Sequence, residues 1–136
     1  MSKKARTKGA AGEREFLNLL GAELGMKLER NLEQTRGGGE DSTSLPSWSL
    51  EVKRYAKITQ GLMEKFWAQT KSQAAISGRK PALAFREDHG KWRVMVRISD
   101  VCPAFSEAEE WPLELQPTFY LSGFAALVRE HMEVKL

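Results

Sequence analysis

Apolar residues recur with a helical period early in the chain. Phe16, Leu17, Leu20 and Leu24 fall at i, i+1, i+4 and i+8, and predict a helix from Gly12 to about Leu24. Met26, Leu28 and Leu32 then predict a first strand over 26–34, and Trp48 to Tyr55 predicts a second. Thr59 to Ser77 carries the clearest helical pattern. Thr59 suits an N-cap, Leu62, Met63, Phe66, Trp67, Thr70 and Ala74 form a broad buried face, and Gly78 with Pro81 closes the segment. Ala82–Arg86 and Lys91–Ile98 predict two strands around the turn Glu87-Asp88-His89-Gly90, in which His89 reads as structural. In the second of these strands Trp92, Val94, Val96 and Ile98 alternate with Arg93, Met95 and Arg97. Residues 99–117, with three prolines and the acidic run Glu107-Ala108-Glu109-Glu110, are the least regular, and a short helix is expected after Ser99. A strand near Thr118–Leu121 precedes a last helix from Ser122, with Phe124, Leu127, Val128 and His131 on one side. There is no internal repeat.

This order predicts one α/β domain over residues 10–136, preceded by a flexible basic arm over 1–9. The 41% hydrophobic and 29% charged content of the 136 residues is that of a globular protein. No apolar run approaches the roughly 20 residues of a membrane span, and the N-terminus lacks the apolar stretch of a secretory signal. Cys102 is the only cysteine, which excludes an intrachain disulfide and a cysteine-based zinc cluster and fits a cytoplasmic setting. It is expected to be a small core residue rather than a nucleophile.

The net charge of +3 hides an asymmetry: residues 1–80 hold 15 Lys/Arg and 9 Asp/Glu, residues 81–136 hold 6 and 9. The basic half also holds the candidate chemistry. Along Trp48-Ser49-Leu50-Glu51-Val52-Lys53, alternation puts Trp48, Leu50 and Val52 on one face and Ser49, Glu51 and Lys53 on the other. Glu51 and Lys53 therefore set a carboxylate beside an ammonium, next to the turn Arg36-Gly37-Gly38-Gly39-Glu40-Asp41. Two carboxylates can hold a hard cation such as Mg²⁺, which polarises a phosphate and lowers the pKa of a bound water. The lysine would orient that water and offset developing charge. Alone, Glu-x-Lys on a strand is most often a solvated ion pair. Glu13 adds weight, because it shares the apolar stripe of the first helix, where a carboxylate is costly without a partner; Glu15 suits a first-turn role at the helix dipole. A basic surface around a few carboxylates is what a nuclease requires. Lys3, Lys4, Arg6 and Lys8 in the arm, Arg14, Arg36, Arg54 and Lys57, and Gln69 and Gln73 on one face of the long helix, are the candidate DNA contacts.

Together, Lys8-Gly9 to Gly12-Glu13-Arg14-Glu15, the glycine-rich turn before Asp41, Glu51-Val52-Lys53 and the passage Phe66 to Phe85 resemble the PD-(D/E)xK nuclease superfamily. Within it the pattern is most similar to the small Holliday-junction resolvases of archaea and their phage-encoded relatives. The resemblance implies a restriction-endonuclease-like core of αβββαβ-type order, a mixed central sheet flanked by helices. It implies Asp41 and Glu51 as metal ligands with the Val52 carbonyl as an extra one, Lys53 as the catalytic lysine, and Glu13 completing the metal site. It further implies Mg²⁺, with Mn²⁺ as a substitute, branched or four-way DNA as substrate, and a homodimer. Glu40 stands where the superfamily motif has proline, so Glu40 is an alternative ligand to Asp41, which is preferred. Rival readings are a nuclease of this fold acting on other DNA, a DNA-binding module without chemistry, and an interaction protein with an incidental basic face.

Overall fold

The computed structural model describes residues 3–29, 45, 47–106 and 110–133. Helix α1 spans Lys3–Leu24, strand β1 Trp48–Tyr55, helix α2 Gln60–Ser77, strand β2 Lys80–Glu87, strand β3 Arg93–Val96, strand β4 Thr118–Tyr120 and helix α3 Leu121–Glu133. Two 3₁₀ turns, Ile98–Asp100 and Leu113–Leu115, break the passage from β3 to β4. The sheet order is β1-β2-β3-β4. β1 and β2 are parallel, and the other two pairings are antiparallel. The result is the mixed α/β sheet expected.

The parallel pair exists because α2 returns the chain. Its 18 residues span about 27 Å at the helical rise. That matches the roughly 26 Å of an 8-residue strand. Both ends of α2 are fixed as its sequence implies. The Thr59 hydroxyl accepts from Leu62 N at 3.2 Å, and Gly78 takes the left-handed conformation at φ 71°. His89 also has positive φ, at 67°, in the β2–β3 turn, where the Arg86 Nε donates to Gly90 O at 2.8 Å.

Alternation divides the core into two layers. On one face of the sheet Trp48, Leu50, Val52, Ala82, Ala84, Val94 and Val96 meet Phe16, Leu17 and Leu20 of α1 and Phe124, Ala125 and Val128 of α3. The Trp48 ring lies edge-on to Phe124 and to His131, each at 5.2 Å between centroids. On the other face Leu83, Phe85 and Met95 meet Phe66 and Trp67 of α2.

Three expectations change. Residues 3–9, expected as a basic arm, lie in α1, which starts more than a turn before Gly12; an unbroken run without proline lets the helix extend. Met26 to Glu29 is not a strand, although Leu28 is buried in the core and Met26 packs against it; the rest of that expected strand lies outside the described residues. Among the described residues the order is α-β-α-β-β-β-α, and residues 30–44, which fall within the αβββαβ-type order implied by the resemblance, lie outside them. Cys102 is half-buried rather than enclosed, because it follows the 3₁₀ turn at the sheet margin, with its N–H on Ile98 O.

The chain doubles back tightly after α1, with Met26 N donating to Gly21 O. A Cβ at Gly21 would stand 2.5 Å from the Met26 carbonyl oxygen, a backbone atom with no room to move. Gly21→Ala is expected to cost about 1–3 kcal/mol, read as a lower thermal midpoint by circular dichroism; an unchanged midpoint would refute the close approach.

Candidate active site

Glu51 is 1% exposed. It lies on the α2 face of β1, paired across the sheet with Leu83, while Lys53 two residues on pairs with Phe85. Lys53 Nζ stands 4.0 Å from Glu51 Oε2 and 5.3 Å from the centroid of the Phe66 ring in α2. The alternation read from the sequence thus separates the strand as expected, with Ser49, Glu51 and Lys53 turned away from the larger core. An ionised carboxylate in such a place is costly without opposite charge or a cation nearby. The ammonium supplies part of that compensation, from a position still 20% exposed. Ser49 on the same face is fully buried, and its Oγ has no hydrogen-bond partner among the described residues.

A carboxylate and a hydroxyl on one face are hard oxygen donors, the kind that suits a divalent cation of the Mg²⁺ class. Among the described residues, however, no group of three or more His, Cys, Asp or Glu side chains is close enough to hold a metal. Asp41 and its alternative Glu40 lie outside the described residues, as does Arg36. Glu51, Val52 and Glu13 are therefore the members of the expected ligand set whose positions are given, and the oxygen chemistry of Glu51 fits.

Glu13 is half-buried on α1, one residue after Gly12. A Cβ on Gly12 would stand 2.9 Å from the Cβ of Arg54, so glycine is what lets the helix reach the strand. α1 packs on the Trp48, Leu50 and Val52 face of β1, and Glu51 and Lys53 are on the opposite face. Arg14 is exposed. Lys57 and Gln69 are exposed and Gln73 is half-buried, so the polar face of α2 reaches solvent as expected. Of Lys3, Lys4, Arg6 and Lys8, only the helical backbone is described.

The sequence reading missed a cluster behind this site. Glu15 accepts from the Trp92 Nε1 at 2.7 Å and from Arg86 through Oε1, and Arg54 Nη1 approaches its Oε2 at 3.4 Å. Arg54 Nε is also 3.8 Å from Asp88 Oδ1. Because α1 begins at Lys3, Glu15 is mid-helix, and the dipole rationale offered for it does not apply. Arg54, a candidate DNA contact, is instead engaged with two carboxylates. The available signal was Trp92: an inward-facing indole needs an acceptor for its N–H.

The chain matches, over residues 4–116, the model of a protein family described as "Phage putative PDDEXK endonuclease". The chain belongs to this family. The family is of the PD-(D/E)xK nuclease type, a class that typically uses divalent metal ions, and the α/β sheet seen here accords with the restriction-endonuclease-like core. The match runs from α1 through the second 3₁₀ turn and leaves β4 and α3 outside it. Protein D14 of Escherichia phage T5 is 27% identical over 120 residues, covering 74% of this chain and 75% of that protein. No solved structure matches. In this PD-(D/E)xK chain, no helix among the described residues is long and apolar enough to cross a membrane.

Removing the Glu15 carboxylate would leave the Trp92 N–H without its acceptor and take one of their partners from the Arg54 and Arg86 guanidinium groups. Glu15→Ala is expected to destabilise by about 1–3 kcal/mol, measured by urea denaturation. A loss below a few tenths of a kcal/mol would show that water replaces the carboxylate at no cost.

Proposed function

We propose that this chain is a Mg²⁺-dependent DNA endonuclease that resolves four-way junctions or other branched DNA. The observation that supports a catalytic reading most directly is the buried Glu51 carboxylate with the Lys53 ammonium 4.0 Å away on one face of β1. A solvated Glu-x-Lys pair would have both groups in water; here the carboxylate is enclosed. Glu51 and Asp41 would hold the metal, with Glu13 and the Val52 carbonyl completing the shell, and Mn²⁺ would substitute. The bound cation supplies Lewis-acid polarisation of the scissile phosphate and a water of lowered pKa.

The chain's own residues do the rest. The Phe66 ring faces the Lys53 ammonium at 5.3 Å, a cation–π contact that favours one position for the charge before DNA arrives. Its positive charge then stabilises the extra negative charge that develops on the phosphate. Burial of Glu51 between α2 and the sheet keeps competing water from the carboxylate and strengthens its charge interactions. Lys3, Lys4, Arg6, Lys8, Arg14, Arg36, Lys57, Gln69 and Gln73 would contact the phosphate backbone and grooves. Arg54 is left out because Glu15 and Asp88 hold it. Two copies related by a two-fold axis would present two sites to a symmetric junction.

The test compares a synthetic four-way junction with linear duplex of the same sequence, in Mg²⁺ or EDTA. Paired nicks on the junction alone are expected, abolished by EDTA and reduced at least about 100-fold in Glu51→Ala and Lys53→Ala. Equal cutting of both DNAs would keep the nuclease and remove junction specificity; tight binding without cutting under several divalent metals would leave a DNA-binding module. In the same assay Asp41→Ala is expected to lose cutting and Glu40→Ala to retain it; the reverse pattern would exchange their roles.

A further inference from the structure

The register of the sheet aligns four residues in one row on the α2 face: Lys53 opposite Phe85, Phe85 opposite Arg93, and Arg93 opposite Tyr120. The row crosses every strand of the described sheet, starting at the candidate catalytic lysine. α2 lies over β1 and β2. Beyond it the row is open: Arg93 is exposed and Tyr120 is 62% exposed. The Arg93 guanidinium stands over the Phe85 ring at 5.1 Å, and Lys91 Nζ over the Tyr120 ring at 5.9 Å. Neither cation is paired with a carboxylate among the described residues.

A single exposed tyrosine on an edge strand is ordinary. An aromatic face flanked by two cations without acidic partners, in register with the candidate catalytic lysine, is a different arrangement. Proteins bind unpaired nucleic acid by stacking bases on aromatic rings while cations follow the backbone. Duplex DNA hides its base faces, so Tyr120 offers nothing to a fully paired substrate. Three strand spacings from Lys53 to Tyr120 are about 14 Å, which at a stacked rise of about 3.4 Å is no more than about four nucleotides. Tyr120 also lies past the end of the family match.

We propose that the row Lys53–Arg93–Tyr120 is a binding track for an unpaired DNA strand next to the scissile phosphate, with Tyr120 stacking on a base and Arg93 neutralising a phosphate. The track rests on the nuclease reading and narrows its substrate: among branched DNAs, those with nucleotides unpaired at the branch point, within a few positions of the cut, are preferred over a fully paired junction.

Binding is measured by fluorescence anisotropy in EDTA, on a duplex bearing a short single-stranded thymidine arm and on the blunt duplex. Wild type is expected to prefer the armed DNA. Tyr120→Ala is expected to reduce that preference roughly 5- to 150-fold, while Tyr120→Phe, which keeps the stacking face, retains it. Arg93→Gln is expected to lower the slope of log affinity against log salt by about 0.7, one single-strand phosphate. Equal affinity of wild type for both DNAs, or an unchanged preference in Tyr120→Ala, would overturn the track. Cutting is scored separately with Mg²⁺ and Mn²⁺: wild type that prefers the arm but cuts no DNA refutes the nuclease reading and leaves the track standing.

Discussion

The structure depends on one constraint: β1 must be buried on both faces while carrying a carboxylate on one of them. Trp48, Leu50 and Val52 are absorbed by α1 and α3, an apolar solution that needs nothing further. The opposite face cannot be solved in that way, because Ser49 and Glu51 are there and are buried as deeply. α2 covers them, yet the helix contributes apolar side chains, Phe66 and Trp67, rather than a ring of donors. Lys53 at the exposed end of the face is what brings a compensating charge. Burial, charge pairing and solvent access thus coincide within three residues of one strand, which is the environment in which a carboxylate and an ammonium acquire chemistry beyond an ordinary ion pair.

Behind that strand, Glu15 gathers Arg54, Arg86 and Trp92 and so ties α1 to β1, β2 and the start of β3 at one point. The link carries Gly12 to the end of β1. Arg54 illustrates how position changes meaning: in the sequence it is one more cation beside a motif, and in the fold it is a strut between two carboxylates.

Elements whose pattern is local were legible in the sequence. The bounds of β1, the caps of α2 at Thr59 and Gly78, and the hairpin around His89 follow from alternation, capping chemistry and turn residues. Of the site, the pairing of Glu51 with Lys53 on the face away from Trp48 was legible too, since period two fixes it. The Glu15 cluster was not, because its members are 39 to 77 positions apart and nothing in their spacing announces contact. Nor was the depth of Glu51, which is set by α2 arriving from the far side. The early start of α1 escaped for a different reason: a run of lysines and small residues has little apolar pattern, but nothing in it stops a helix already under way.

The two sides of the sheet differ in how much apolar material holds them. Among the described residues sixteen buried residues form the cluster on the α1 and α3 side, and five form the one beneath α2. Opening free energies in a native protein follow such differences, so α2 is expected to detach from the sheet before α1 and α3 do. Amide protection would accordingly be weaker in α2, the helix that encloses Glu51, than in the helices of the other layer. Proteins that must admit a large ligand to a buried charge meet a conflict between enclosure and access; here the thinner layer is the one placed over the charge.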